Sequence, residues 1–448
     1  MKKQDSQQNS KWYEKKSGKN FSGSKTKPAS KKKEKIQFHE EAESGFRKKT
    51  RPSVSARQKK DPVFVKCLDR LLDSSSVPAD GKKILENFQE TINSTHPLNS
   101  RQKALMYDQI RDLSHYLTDQ RGERRLGYMN QPSTLSAYVH YFLWWNLVRL
   151  TRLFSNLPAD FLDLDKNDVC LDVGSGPLTV PLALYISRPE LRNKKLKWYC
   201  MDISSQALSI GENLMMTVSV SLGGQMWEII RVKGNFGTEI KEKASFVSCA
   251  NVFNEILEDR NMPPDYLAKK CTESILPYTD QKSDGTRVLL IEPGIPSSAR
   301  ILSFIREAFM RRDYVPVSPC THCASCAMDG KKGGKWCNFA FSTEDAPIAL
   351  KKISEKSNLS KDRAVLSFLA LKKSAAQDDD PDKLVFRIAS DPIRLPGNRT
   401  GYYACSKIGL LLVVTGASLF YGDSLSVDFP KKELPLDEKS GAYVLKLE

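Results

Sequence analysis

The chain has no run of 18 apolar residues, which excludes a membrane-spanning helix. No apolar stretch follows Met1, so no secretory signal is expected. The start also lacks the make-up of a mitochondrial transit peptide. Such peptides are Arg-rich, amphipathic and nearly free of acids; here Lys prevails, Asp5 and Glu14 interrupt, and there is no apolar face. The expectation is a cytoplasmic protein, bacterial rather than organellar. Excess positive charge is scarce over most of the length. Residues 1–60 hold 19 Lys/Arg against 6 Asp/Glu, and so supply most of the net +16 of the whole chain. The basicity belongs to one segment and not to a face of the fold. Two phosphate-binding signatures are missing too. Gly174-Ser175-Gly176 is followed by Thr179 where G-x-G-x-x-G wants its third glycine, and no G-x-x-x-x-G-K-[ST] occurs.

What is present is an apolar run, Val169-Cys170-Leu171-Asp172-Val173, then Gly174-Ser175-Gly176, then the apolar Val180 to Tyr185. This reads as strand, tight turn and helix. Glycines at the turn permit positive φ and let a ligand approach the backbone. The helix start offers unpaired N–H groups. A second strand, Lys195 to Asp202, ends in an acid 30 residues after Asp172. An acid there can hold the ribose hydroxyls of a nucleoside cofactor. The D-x-G-x-G pattern with this acid is similar to the first motifs of S-adenosylmethionine-dependent methyltransferases.

At 448 residues the chain has room for two to four domains. Residues 1–60, with few aliphatics, are expected to be a disordered basic tail that binds nucleic acid non-specifically through its phosphates. Residues 61–158 read as a helical N-terminal domain, beginning with Phe64, Val65, Cys67, Leu68, Leu71 and Leu72 at helical spacing. The aromatic stripe from Tyr138 to Trp145 reads as a core face. Residues 159–392 alternate strands and helices, which predicts a parallel sheet in an α/β domain. Ligands then sit beyond the carboxyl ends of the strands, where Asp172, Asp202, Asn235 and Asn251 fall. Arg363 to Lys373 and Leu384 to Ala389 are expected to close a seven-stranded Rossmann-like sheet. Residues 393–448 read as a small β-rich extension.

An insert at 316–345 breaks the alternation. Cys320, Cys323, Cys326 and Cys337 fall within 18 positions. In a reducing compartment such spacing indicates metal rather than disulfides. Thiolates suit Zn²⁺ or an iron–sulfur cluster. A C-x-x-C-x-x-C run with a lone fourth Cys departs from the paired C-x-x-C of zinc ribbons, which favours iron–sulfur.

The order of these parts resembles the methyltransferase-like assembly factors of the mitochondrial ribosomal small subunit and their bacterial homologues, over about residues 100–425. The family's S-H-V-L-N-E-L is similar to Cys249-Ala250-Asn251-Val252-Phe253-Asn254-Glu255-Ile256. Its C-P-H-x-x-x-C and W-C-H-F match Cys320, Cys326 and Trp336-Cys337-Asn338-Phe339, and its late Cys and W-G-D resemble Cys405 and Tyr421-Gly422-Asp423. The resemblance implies the class I S-adenosylmethionine-dependent methyltransferase fold and a [4Fe-4S] cluster on Cys320, Cys326, Cys337 and Cys405. It implies cofactor binding at Asp172, Gly174, Ser175, Gly176, Asp202, Asn235 and Asn251. The partners it implies are small-subunit rRNA and the small ribosomal subunit. Cys323 is extra to the family pattern, Asn338 replaces its His, and Tyr421 its Trp.

No catalytic residue is assigned. Amino-methylating enzymes of nucleic acids carry [DN]-P-P-[YF] after the fourth strand, where this chain has Asn251-Val252-Phe253-Asn254. No cysteine nucleophile of the pyrimidine C5 type stands there either. Three readings follow: an rRNA-binding assembly factor with a cofactor pocket, an active rRNA methyltransferase, and a zinc-bearing RNA-binding module without cofactor.

Overall fold

The structure, a computed structural model, describes residues 65–118, 127–166, 168–253, 262–374 and 380–447. The expected basic tail and Asn254-Glu255-Ile256 lie outside the described residues. Fifteen strands among the described residues form two sheets. In chain order they are β1 (Lys66–Arg70), β2 (Val169–Val173), β3 (Lys197–Asp202), β4 (Glu228–Lys233), β5 (Phe246–Ala250), β6 (Arg287–Pro293), β7 (Tyr314–Ser318), β8 (Phe339–Ser342), β9 (Arg363–Lys373), β10 (Lys383–Ile388), β11 (Ile393–Leu395), β12 (Arg399–Ser406), β13 (Gly409–Thr415), β14 (Asp423–Asp428) and β15 (Tyr443–Lys446).

The first sheet runs β4-β3-β2-β5-β6-β9-β7, with β8 also on β9. Strands β2 to β6 are parallel, and β9 is antiparallel to both neighbours. Strands β2, β3, β5 and β6 are apolar along almost their whole length and are buried on both faces, as helix-covered parallel strands must be. Edge strand β4, Glu-Ile-Ile-Arg-Val-Lys, is half exposed. The strand order reverses between β2 and β5, which opens a crevice at their carboxyl ends. A parallel sheet with this order and one antiparallel strand between β6 and β7 is the class I S-adenosylmethionine-dependent methyltransferase fold.

The helix Thr179–Ser187 is buried on every side. One side meets the sheet; the other is covered by the helices that precede it in the chain, within one continuous core. Gly81 makes the approach possible: a Cβ there would lie 2.8 Å from the carbonyl of Ile186. Arg192 ties the layers by pairing with Asp80 at 2.5 Å. The covering helix runs from Pro132–Ala137 through a π turn, Tyr138–Leu143, into Trp144–Asn156. Its Tyr141, Trp144 and Trp145 are buried, and the Trp144 indole donates to the Leu85 carbonyl at 2.9 Å. The aromatic stripe therefore serves the core.

Three local expectations are corrected. The run from Val65 to Leu72, read as helix, contains β1, which pairs antiparallel with β14. An open edge of β14 supplies backbone partners that helical spacing alone does not reveal. Leu384 to Ala389, expected in the first sheet, forms β10 of the second, between β12 and β14. Its place is taken by Tyr314–Ser318, a strand hidden by Pro316 and read as the start of the insert. The second sheet, ordered β1-β14-β10-β12-β13-β15 with β11 on β12, has its own core of Leu384, Phe386, Ile388, Leu411, Val413, Leu425 and Val427.

Candidate cofactor crevice and thiol cluster

At the switch point the register sets Asp172 of β2 beside Ser248 of β5. Asp172 is 1% exposed and accepts from the Ser248 hydroxyl at 2.6 Å and the Ser175 hydroxyl at 2.7 Å. Burial pushes its carboxyl up to about 7, against the pull of the two hydroxyls. Gly174 and Gly176 carry φ of 69° and 51°. At Gly174 space excludes a side chain as well: a Cβ would stand 2.4 Å from Val252 Cγ2. The Gly176 N–H donates to Asp202 Oδ2 at 2.9 Å, and Ser204 N–H donates to Oδ1 at 2.8 Å. Asp202 is buried, and its carboxyl is raised by that burial despite these bonds. The Ile203 N–H acts on the carboxylate as well, and of its roughly four lone-pair sites some acceptor capacity remains.

Asp172–Ser175 and Gly176–Asp202 are thus two hydrogen-bonded pairs joined by the Ser175–Gly176 peptide. Asn251, just past β5, adopts φ 60° and donates its N–H to the Ile291 carbonyl at 2.7 Å. Left-handed conformation is unusual outside glycine and least costly for Asn and Asp. Asn235 lies exposed past β4, its N–H bonded to Thr238 Oγ1 at 3.2 Å. The turn after β4 and the turn after β5 meet through stacked Phe236 and Phe253 rings, 5.9 Å apart.

Sequence reading missed the supports of this crevice. Ser248 stands in the otherwise apolar Phe-Val-Ser-Cys-Ala of β5, and that lone hydroxyl was the available signal. Glu292, 2% exposed at the end of β6, accepts the Phe253 N–H at 2.9 Å and so fixes the turn after β5. Gly211 lets the helix Ser205–Ser221 press on the glycine turn, where a Cβ would lie 2.4 Å from Pro177. The Ser204 hydroxyl donates to the Met129 carbonyl at 3.4 Å, which brings the 128–130 turn of the helical region against the same loop.

The cysteine insert leaves the sheet at β7 and returns at β8, and both strands lie along one edge of β9. It is pinned at several points. The Trp336 indole donates to the Gly294 carbonyl at 3.1 Å, and the Ser367 hydroxyl to the Cys337 carbonyl at 2.7 Å. The second sheet meets it through Arg387, which is paired with Cys405 in the register of β10 and β12. Arg387 donates to the Pro319 carbonyl at 2.5 Å and pairs with Asp69 at 2.6 Å.

Cys320, Cys326, Cys337 and Cys405 come within electrostatic range of one another. Cys320, Cys326 and Cys337 line a cavity of about 30 Å³ with Arg306, Ser303 and Phe368. Cys405 also lies 3.4 Å from His322 Nε2. Burial, then the neighbouring thiols, pushes the Cys326 thiol up to about 11 and raises Cys337 and Cys405. Cys323, extra to the family pattern, acts electrostatically on Arg306. Among the described residues, no three His, Cys, Asp or Glu side chains are placed to hold a metal ion as they stand. As a donor set, four soft sulfurs from an insert and a second sheet suit zinc or an iron–sulfur cluster.

No helix among the described residues is long and apolar enough to cross a membrane. No curated protein matches the chain. Among solved structures, a methyltransferase from Pyrococcus furiosus is 11% identical, with 48% of this chain and 79% of that chain covered at a TM-score of 0.28. An rRNA methylase from Streptococcus thermophilus is 13% identical, covering 48% and 91%, with a TM-score of 0.26. An S-adenosylmethionine-dependent methyltransferase from Geobacter sulfurreducens, solved with S-adenosyl-L-homocysteine, is 13% identical, covering 59% and 98%, with a TM-score of 0.28. A family model described as mitochondrial small ribosomal subunit Rsm22 matches residues 167–393. That match spans just over half of the chain and takes in the glycine turn, the acid of β3 and the whole cysteine insert. The chain belongs to the Rsm22 family of the mitochondrial small ribosomal subunit.

Proposed function

We propose that the protein is an S-adenosylmethionine-binding, rRNA-binding factor in assembly of the small ribosomal subunit, with a structural iron–sulfur cluster. The observation that carries the cofactor reading is the two bonded pairs, Asp172–Ser175 and Gly176–Asp202, adjacent in the glycine turn at the switch point. In this reading Gly174 and Gly176 give the methionine end of the cofactor its approach, and the remaining lone pairs of Asp202 accept the ribose hydroxyls. Asn235 and Asn251 flank the adenine from the rim. The bound cofactor supplies an electrophilic methyl group.

Cys320, Cys326, Cys337 and Cys405 are the proposed cluster ligands. The support is their convergence from the insert and β12. Four thiolates on one zinc ion, at about 2.3 Å each, would crowd around a point. The C-x-x-C-x-x-C spacing of the insert, unlike the paired C-x-x-C of zinc ribbons, favours a polynuclear group. The ribosomal partner is carried over from the family. The acceptor side offers no [DN]-P-P-[YF], so methyl transfer itself is not part of the reading. Anaerobically purified protein should show cluster absorption, bind S-adenosylmethionine in calorimetry and co-sediment with small-subunit rRNA. Failure to bind the cofactor leaves an RNA-binding module. A missing methyl mass in 16S rRNA of a deletion strain would instead establish an active methyltransferase.

A further inference from the structure

The helix Pro296–Met310 turns Leu302, Ile305 and Phe309 into the core, and Arg306 lies on that same buried side at 2% exposure. A buried guanidinium is costly unless it meets an anion. Arg300 and Arg311 of this region pair with Asp329 and Glu307, but among the described residues no carboxylate pairs with Arg306. Its Nη2 donates to the His322 carbonyl at 2.7 Å, whereas its buried Nε has no hydrogen-bond partner. The guanidinium instead borders the cavity lined by Cys320, Cys326 and Cys337. The Cys320 side chain is its hydrogen-bond partner there, with Cys326 and Cys323 within electrostatic range. The other buried arginine nearby, Arg387, is already matched by Asp69.

We propose that Arg306 is the counter-cation of the metal centre, held by the His322 carbonyl so that its remaining N–H groups face the sulfur of Cys320. This rests on the four-cysteine reading above. Four thiolates around Zn²⁺ or a [4Fe-4S]²⁺ core leave a net charge of about −2 in a partly buried site. Arg306 offsets part of that charge and donates to sulfur, an interaction that raises a cluster's potential. It is a positioning residue and not a ligand.

The test uses the full chain, purified anaerobically, as wild type, Arg306→Met and Arg306→Lys. Metal per protein, the rate of metal loss to a chelator, and the reduction potential are measured, with S-adenosylmethionine affinity as a control for folding. Arg306→Met should lose metal at least tenfold faster and show a lower potential, and Arg306→Lys should restore the potential and part of the retention. Unchanged loss and potential in Arg306→Met would overturn the inference while leaving the metal centre intact. Equal defects in both variants would also overturn it, because packing and not charge would then be at stake. A wild-type protein without metal would overturn the metal reading, and this inference with it.

Discussion

At the scale of single residues, the crevice is a pair of buried acids held by short donors. Asp202 fixes the glycine turn through the Gly176 N–H, and in the proposed function it also offers lone pairs to the cofactor. Asp202→Ala should lower S-adenosylmethionine affinity at least tenfold, since charge-assisted bonds contribute about 1.5–3 kcal/mol each. Calorimetry on both proteins reads this, and equal affinities would remove Asp202 from the site. Asp172 makes a different prediction. Its folded pKa, about 7, lies above the usual carboxylate value of 3.8. A raised acid binds its proton more tightly when folded, so its ionisation costs stability progressively from about pH 4 to pH 7, and the full cost stands above that. Asp172→Asn keeps an acceptor for Ser248 and removes the charge. It should stabilise the ligand-free protein by on the order of 1–3 kcal/mol at pH 8 and by little at pH 4. Denaturant unfolding at the two pH values checks the difference. Both acids were legible in the sequence, because D-x-G-x-G and an acid at the next strand end are local patterns. Ser248, Glu292 and Arg306 were not. Ser248 and Glu292 are lone polar residues in apolar strands, Arg306 is one of several charged residues on its helix, and the purpose of each appears only when register or a helix face brings its partner close.

At the scale of elements, the strands of the first sheet were readable because buried parallel strands are short, continuous apolar runs. The exceptions were strands with a different logic. Strand β1 is mostly exposed, and β7 contains Pro316. Strand β10 is as apolar as its predecessors, so nothing in its own residues told which sheet would take it. The insert between β7 and β8 gave its chemistry away by spacing, but the position of Cys405 on β12 depended on the sheet that carries it. The candidate cluster would join these two elements. Cys405→Ser should lower iron per protein and expose β12 to β15 to protease, whereas Cys323→Ser should leave both near wild type. Loss of metal on Cys323→Ser, with Cys405→Ser silent, would move the fourth ligand into the insert.

For the whole molecule, charge and fold are separate matters. Residues 1–60 carry most of the net charge and lie outside the described residues. If they add sequence-independent RNA affinity, deleting them should flatten the slope of log affinity against log salt by roughly 0.7–0.9 for every phosphate they had neutralised. An unchanged slope in a filter-binding titration would make the segment a solubiliser. The pairing of β1 with β14 has a temporal consequence. Arg70 and Asp423, joined at 2.7 Å, are 353 positions apart in the chain. Contacts this distant in sequence form late, because the intervening loop must close first. During synthesis the first sheet can be complete once β9 has emerged, while β1 waits for β14. Cys405, on the same late sheet, emerges after the insert it faces. The ribosome making this protein therefore releases the candidate metal ligands in two instalments, and a finished metal centre would report that translation had passed both the insert and β12.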